Sequence, residues 1–168
     1  LGAYARIVRD TAAELGCHVT LEPGRALVGN AGILVARTLY RKEGVSRNFL
    51  ILDAAMNDLI RPALYDAWHT ILPVREPGPD APREPVDVVG PVCETGDTFA
   101  VQRPMPPVAA GELVAILSAG AYGAVMASTY NTRPLVPEVL VNGAEFAVVR
   151  RRPTIEEILA AETIPAWA

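Results

Sequence analysis

A succession of short β-rich runs, separated by turn-forming residues, is the feature of this sequence that most restricts its fold. The runs predicted to be strands are 33–40, 48–53, 69–74, 86–92, 98–102, 113–118, 139–142 and 145–150. Glycine and proline punctuate them, and residues 75–85 alone contain four of the 15 prolines. Many short strands with regular turns predict an antiparallel β-barrel or sandwich. The expected fold class is therefore mainly β, within an α+β chain.

The first thirty residues follow a different pattern. Apolar side chains recur at helical spacing over residues 3–15, and Gly16 can end that helix. Residues 17–21 then read as a short strand that leads into a polar loop. A helix, a strand and a polar loop form the repeating unit of an α/β barrel. We therefore expect residues 1–30 to be the last helix-strand unit of a truncated TIM-type barrel, and residues 31–168 to be an antiparallel β domain.

Three local signals predict turns and short helices within the β domain. Asn142-Gly143 lies between the last two runs and is a strong hairpin signal. Residues 154–157, Thr-Ile-Glu-Glu, form a capping arrangement that predicts a terminal helix. Asn57-Asp58 can cap another short helix, which Arg61-Pro62 would interrupt.

Charge and cysteine content exclude several classes of function. The net charge is −4 and the basic residues are scattered, so nucleic-acid binding is not expected. No apolar run approaches the roughly 18 residues that span a bilayer, so a membrane partner is not expected either. Two distant cysteines, Cys17 and Cys93, and two histidines predict neither a disulfide framework nor a metal site. A reducing, cytoplasmic setting is the default expectation.

Three polar clusters contain candidate binding residues. In Glu22-Pro23-Gly24-Arg25, the glycine frees the backbone for close approach and the arginine offers a fork to a carboxylate or phosphate. Arg61 and Tyr65 are four residues apart and can share one face of a helix. Tyr122, between small residues, suits contact with a flat ligand. For each cluster a purely structural role, as a tight turn or a packed side chain, is an open alternative.

A fourth cluster, Cys93-Glu94-Thr95-Gly96-Asp97, places a thiol between turn residues and two carboxylates. A thiol can act as a general acid, and Glu94 could bind an ammonium group or carry a proton. The bare pattern equally fits a buried, inert cysteine beside a solvated turn. The single lysine of the chain, Lys42, lies in a charged stretch expected to be a turn between two strands.

Together these segments resemble the carboxyl-terminal part of bacterial diaminopimelate decarboxylases, which are pyridoxal-phosphate enzymes of the alanine-racemase-like fold. The matching stretches are 21–25, 56–65, 90–97 and 120–123, in the same order and at similar spacing. The resemblance implies removal of the D-centre carboxylate of meso-2,6-diaminopimelate to give L-lysine, a step of lysine biosynthesis. It also implies pyridoxal 5′-phosphate as the cofactor.

The resemblance assigns a role to each candidate residue. The implied cofactor-binding residues are Glu22, Pro23, Gly24, Arg25 and Tyr122. The implied substrate-binding residues are Arg25, Arg61, Tyr65, Glu94 and Tyr122, with Arg61 and Tyr65 at the distal end of the substrate. Cys93 is implied to be the catalytic proton donor. The family works as a homodimer with shared active sites, so the Cys93 segment would complete the site on the partner's barrel.

One departure from the family is large. The family's Schiff-base lysine lies near the start of its barrel, and no counterpart of that region is present here. We therefore expect a carboxyl-terminal fragment that is inactive alone. Two alternatives stay open: a non-catalytic dimerisation or regulatory module, and a related ornithine- or arginine-type decarboxylase. The Cys-Glu-Thr-Gly-Asp segment favours the diaminopimelate branch.

Overall fold

The computed structural model describes residues 1–167 and shows a mainly β fold, as predicted. Residue 168, the last residue of the second expected domain, lies outside the described part. The helices are α1 (Gly2–Leu15), α2 (Arg61–Tyr65) and α3 (Ile155–Leu159). The strands are β1 (Leu34–Lys42), β2 (Asn48–Leu52), β3 (Ile71–Pro73), β4 (Glu84–Val89), β5 (Thr98–Met105), β6 (Leu113–Ile116), β7 (Glu138–Asn142) and β8 (Glu145–Arg150). Short 3₁₀ turns lie at Gly24–Ala26, Gly29–Ala31, Ala124–Met126 and Tyr130–Thr132.

Six strands form one sheet in the order β3-β6-β1-β2-β4-β5. The long strand β1 joins its two halves, because residues 34–37 pair with β6 whereas residues 38–42 pair with β2 across a bulge after Thr38. Four of the five strand pairs are antiparallel, but β2 and β4 run parallel. The expectation of a wholly antiparallel domain is therefore wrong at this pair. The excursion of α2 and β3 between β2 and β4 gives the chain the length that a parallel crossover needs.

A side-chain bridge brings the two edges of this sheet together. Arg103 on β5 donates through Nη1 to the carbonyl oxygen of His69, just before β3, over 2.9 Å. Its guanidinium carbon also lies 3.3 Å from the centroid of the Trp68 ring. Because β3 and β5 are the opposite edges of the sheet, the bridge makes it a nearly closed barrel.

The inward faces of these strands form the hydrophobic core. Its buried members are Ala36, Leu50, Leu52, Ala54, Leu59, Ile71, Val86, Val88, Phe99, Ala100, Met105, Val108, Val114 and Ile116. They come from all six strands and from the segments beside them, so the core sits within the curved sheet. Burial of this apolar surface is the main force that holds the strands together.

The polar residue Asp87 stabilises an irregularity of the sheet. The β4–β5 register shifts between Val86 and Val88, and Gln102 opposite adopts a left-handed backbone with φ of 47°. The side chain of Asp87 accepts the Gln102 amide hydrogen at 2.7 Å, so the bulged amide has a hydrogen-bond partner. A carboxylate inside the strand thus allows the bulge.

The amino-terminal region confirms one prediction and corrects another. Helix α1 spans Gly2–Leu15 and ends at Gly16, whose φ is 59°, as the sequence indicates. Residues 17–21 form no strand. A strand needs a hydrogen-bonded neighbour, and in the part of the chain that the structure describes none lies alongside them. Helix α1 buries none of its residues, and it leaves the apolar side chains of Tyr4, Ile7 and Leu15 exposed.

The carboxyl-terminal signals are confirmed. Strands β7 and β8 form a hairpin whose two-residue loop is Gly143-Ala144, with Gly143 at a φ of 61°. Thr154 and Glu157 form a reciprocal capping box at the start of α3. Helix α3 ends at Leu159. Within residues 1–167, no helix combines the length and apolar character that a membrane crossing requires.

Candidate active site

The predicted binding residues line one open cavity of about 610 Å³. Its walls are Pro23, Gly24, Arg25, Ala26, Arg61, Tyr65 and Tyr122. A neighbouring cavity of about 560 Å³ shares Arg25, Ala26, Arg61 and Tyr65 with the first. Three segments that are far apart in the sequence therefore meet at one place, on one side of the barrel-like sheet.

The loop at residues 23–26 forms one wall. Gly24 has a φ of 55°, a left-handed conformation that an L side chain adopts at a cost. A Cβ atom at Gly24 would lie 3.8 Å from the hydroxyl oxygen of Tyr122. The tyrosine hydroxyl therefore lies directly beside the exposed backbone of this turn, where a ligand could contact both.

Two glycines explain how this loop reaches Tyr122. A Cβ atom on Gly120 would lie 2.0 Å from the Val28 carbonyl oxygen, and one on Gly32 would lie 2.5 Å from the Gly120 Cα. Only residues without a side chain allow so close an approach of two backbones. The contact is closed by hydrogen bonds from Gly120 N to Gly29 O at 3.0 Å and from Ala119 N to Gly32 O at 2.8 Å.

Helix α2 forms the facing wall. Its first residues are Arg61 and Pro62, so the proline starts the helix instead of interrupting it, and Asn57-Asp58 do not cap it. A proline in the first turn removes no intrahelical hydrogen bond, which is why this position tolerates it. The guanidinium carbon of Arg61 lies 5.5 Å from the Tyr65 ring centroid and 5.7 Å from that of Tyr122. Both rings therefore lie within the range of cation–π attraction.

The charge of the cavity is positive. Across residues 1–167, Arg25 and Arg61 form neither an ion pair nor a side-chain hydrogen bond. The described lining of both cavities contains no carboxylate. Two free guanidinium groups among tyrosine hydroxyls suit a ligand that carries carboxylate or phosphate groups.

The Cys93 segment lies elsewhere. Neither Cys93 nor Glu94 is among the residues that line the two cavities, and both side chains are exposed. The reading of Cys93 as a buried, inert thiol is therefore wrong. The Glu94 carboxylate accepts the Gly96 amide hydrogen at 3.2 Å, which tightens the turn. Within one chain, the structure does not bring the predicted proton donor to the predicted binding residues.

Two further residues lie outside the cavity. Glu22 is exposed and does not line it, although its neighbours from Pro23 to Ala26 do. Lys42 is the last residue of β1, so it lies on a strand and not in a turn, and it is exposed away from both cavities. The single lysine is therefore not placed to act in this site.

A buried polar cluster supports the site, and sequence reasoning missed it. Arg133 donates to Asn57 Oδ1 at 2.9 Å and to the Asp53 carbonyl at 2.6 Å. Asn57 in turn donates to the Ser128 carbonyl at 3.0 Å. These bonds join the segment before α2 to the segment after Tyr122. Adjacent polar residues such as Asn57-Asp58 are a weak signal for burial, so this cluster could not be predicted from the sequence.

The neighbouring cavity adds residues that carry no sequence motif. Trp68, His69, Asn30 and Ser118 line it beside the two arginines. Ser118 donates to Asn30 Oδ1 at 2.9 Å, which ties the amino-terminal segment to the end of β6. Isolated aromatic and polar residues cannot be recognised in a sequence as the wall of a cavity, because they come together only in the folded structure.

Comparison with known proteins identifies the family. The model of the pyridoxal-dependent decarboxylase C-terminal sheet domain matches residues 8–120, more than half of the chain. The diaminopimelate decarboxylase of Zymomonas mobilis is 48% identical over 165 residues, which are 98% of this chain and 38% of that protein. The chain therefore spans about two fifths of the length of the curated relatives that it matches.

Solved structures of diaminopimelate decarboxylases share the fold of this chain. The diaminopimelate decarboxylase of Helicobacter pylori complexed with L-lysine superimposes with a TM-score of 0.85, at 38% identity over 95% of this chain and 39% of that one. The arginine decarboxylase of Paramecium bursaria Chlorella virus shares the fold with a TM-score of 0.61 at 19% identity, over 66% of this chain and 30% of that one. The chain belongs to the pyridoxal-dependent decarboxylase family, and it contains that family's C-terminal sheet domain.

Proposed function

We propose that this chain is the carboxyl-terminal part of a diaminopimelate decarboxylase, which removes the D-centre carboxylate of meso-2,6-diaminopimelate and yields L-lysine. The observation that carries the proposal is the cavity in which Arg25 and Arg61 meet Tyr65 and Tyr122 without any carboxylate in its described lining. Such a site binds anionic groups. The identity to diaminopimelate decarboxylases over nearly the whole chain supports the same reaction.

The turn at Gly24 fits the phosphate of pyridoxal phosphate. Its left-handed backbone is exposed at Gly24, and Arg25 and the Tyr122 hydroxyl lie beside it. We assign Glu22, Pro23, Gly24, Arg25 and Tyr122 to the cofactor, with Glu22 acting on the conformation of the turn. When bound, the cofactor supplies the acceptor for the electron pair that carbon dioxide leaves behind.

The cavity wall that helix α2 forms would hold the substrate. Arg61 and Tyr65 project from one face of α2, where the guanidinium can bind a carboxylate while the phenol donates a hydrogen bond. Arg25 and Tyr122 contact the same volume from the other side. A substrate with a carboxylate at its distal end would satisfy Arg61, whereas ornithine, whose distal end carries only an ammonium group, would leave it unpaired. That difference gives selectivity for meso-2,6-diaminopimelate over ornithine.

Cys93 and Glu94 would act in a second active site. Both are exposed and outside the cavity of their own chain, which fits a homodimer whose active sites are shared. Glu94 would bind the substrate, and the Cys93 thiol would donate the proton that replaces the lost carboxylate. The two free, exposed thiols suit a reducing, cytoplasmic setting.

The exposed apolar face of helix α1 supports a division of the chain into the end of a barrel and a β domain. Residues 1–30 would form the end of an α/β barrel, and residues 31–168 the β domain that closes over it. Helix α1 buries none of its residues, so its apolar face is available to the rest of a barrel. Because Lys42 lies away from the cavity, the lysine that binds the cofactor would come from that barrel.

An assay of the chain joined to a barrel domain tests the proposal. The barrel of the Zymomonas mobilis relative, fused before residue 1, should release carbon dioxide from meso-2,6-diaminopimelate faster than from ornithine or arginine. Cys93→Ala should lower kcat about a hundredfold, in line with loss of a general acid. Cys17→Ala removes the other exposed thiol and should leave the rate unchanged. Preferred turnover of ornithine or arginine, or an unaffected Cys93→Ala variant, would refute the assignment.

A further inference from the structure

The carboxylate of Asp97 connects two parts of the proposed site. Asp97 is only 3% exposed and closes the segment of Cys93 and Glu94. Its Oδ2 accepts the amide hydrogen of Val92 at 2.8 Å, and its Oδ1 accepts that of Met56 at 2.6 Å. Val92 directly precedes Cys93, whereas Met56 lies on the segment that leads into α2. One side chain therefore holds both segments.

Backbone geometry around Asp97 reinforces this link. The Gly90 amide donates to the Asp97 carbonyl at 3.0 Å, and the Asp97 amide donates to the Glu94 carbonyl at 3.1 Å. A Cβ atom at Gly90 would lie 2.3 Å from Asp97 Oδ2, so a glycine there leaves room for the carboxylate. The loop from Gly90 to Asp97 is thus closed through the main chain and the side chain of one residue.

Charged groups nearby set the electrostatics of the link. Burial raises the pKa of Asp97, while the hydrogen bonds from the Val92 and Met56 amides and the charge of Arg133 oppose that rise, and Asp58 adds to it. A carboxylate offers two acceptor oxygens, whereas an asparagine offers one acceptor and one donor. Asparagine at position 97 would therefore keep the shape but turn a donor towards one of the two amides.

We propose that Asp97 is a positioning residue, whose carboxylate fixes the Cys93–Glu94 loop to the segment that carries Arg61 and Tyr65. The roles of Cys93, Glu94, Arg61 and Tyr65 rest on the proposed function, but the link between the two segments does not. Asp97 then holds the Cys93–Glu94 loop and helix α2 together. The loop would act in a second active site, whereas the helix lines the cavity of its own chain. Loosening one would loosen the other.

Amide hydrogen exchange of the chain itself tests the link. Asp97→Asn should raise the exchange rates of both Met56 and Val92 at least tenfold, while amides of β1 and β6 keep their rates. Gly90→Ala, which crowds the carboxylate from the opposite side, should give the same pattern without changing Asp97. Asp80→Asn makes the identical chemical change at an exposed loop position and should change neither amide. Unchanged exchange at either Met56 or Val92 in both test variants overturns the proposal.

A kinetic test separates positioning from loss of folded protein. In the chain joined to a barrel, Asp97→Asn should lower kcat at least tenfold and raise KM, because both Cys93 and Glu94 are displaced. A smaller folded fraction lowers the apparent kcat but leaves KM unchanged, so an unchanged KM overturns the positioning role. If Cys93→Ala were fully active, the proposed function of Cys93 would fail, and the exchange rates of Met56 and Val92 would still decide whether Asp97 links the segments.

Discussion

The guanidinium carbon of Arg61 lies 5.7 Å from the centroid of the Tyr122 ring, although the two residues are far apart in the sequence. This contact joins helix α2 to the loop that follows β6. It places a positive charge in the cavity next to the Tyr122 ring, and the described lining of the cavity supplies no carboxylate to neutralise it. The cavity is consequently prepared for an anion before any ligand arrives.

Arg61→Gln should weaken anion binding by the chain. Loss of one charge-assisted contact is expected to raise the Kd for inorganic phosphate about tenfold, which corresponds to about 1.4 kcal/mol. Tyrosine fluorescence or the NMR shifts of Gly24 and Tyr122 would report the titration. Arg83→Gln removes an exposed arginine outside the cavity and should leave the Kd unchanged. Equal affinities for wild type and Arg61→Gln would contradict the assignment of Arg61 to the binding site.

Gly120→Ala should separate the two walls of the cavity. The added Cβ would lie 2.0 Å from the Val28 carbonyl oxygen, so the amino-terminal segment has to move away. Overpacking of this kind is expected to lower the free energy of unfolding by about 2 kcal/mol. Urea denaturation measures the change, and Gly78→Ala is the matched control because nothing lies within 4 Å of that position. A stability equal to that of wild type would mean that the backbone contact at Gly32 is dispensable.

Arg103→Met should weaken the closure of the barrel. The variant loses a hydrogen bond to the buried His69 carbonyl and the contact with the Trp68 ring. Burial of the guanidinium in the folded chain lowers the pKa of Arg103. We expect the free energy of unfolding to fall by about 2 kcal/mol. The fluorescence of Trp68 should also change, because its ring loses the contact with the guanidinium group. Unchanged fluorescence and stability would show that the sheet edges are held by other contacts.

The acid sensitivity of the fold should depend in part on Asp87. Burial acts to raise the pKa of Asp87, but hydrogen bonds from the Gln102 amide and side chain and the interaction with Arg47 outweigh it, so the net pKa is lowered. Below the usual value of 3.8, the unfolded chain therefore binds this proton more readily than the folded chain. Stability contributed by the ionised group is present above that value and is lost as the pH falls through the lowered pKa.

The measurement compares denaturation of wild type and Asp87→Asn between pH 6 and pH 2. The wild type should lose more stability over this range, because the asparagine has no proton to gain. Asp80→Asn, which changes an exposed carboxylate, should follow the wild-type curve. Parallel curves for Asp87→Asn and wild type would show that Asp87 keeps its ordinary pKa in the folded state.

Local sequence signals correctly predicted the elements whose formation depends only on residues within the element itself. Helix α1 ends at Gly16 because glycine adopts the left-handed backbone there, and the α3 capping box needs only Thr154 and Glu157. The β7–β8 hairpin follows from Gly143 for the same reason. The predicted strands of the sheet were found with boundaries shifted by a few residues, because alternation identifies a strand better than it locates the strand's ends.

Elements that depend on distant partners were not predictable in this way. Residues 17–21 have a strand-like composition but form no strand, since a strand exists only with a hydrogen-bonded neighbour. The parallel pairing of β2 with β4 depends on where the chain goes between them. The links made by Arg103, Arg133 and Asp97 join residues that no periodic pattern relates.

The sequence by itself determined the mainly β fold, the end of α1 at Gly16, the start of α3, the β7–β8 hairpin, and the motifs that identify the family. These features follow from backbone preferences and from side-chain chemistry within a few residues. The tertiary structure alone decided that Gly24, Arg61 and Tyr122 share a cavity and that Cys93 lies outside it. It did so because the close backbone contact of Gly32 with Gly120, and the burial of Asp97 against Met56, act between segments that meet only when the sheet has closed.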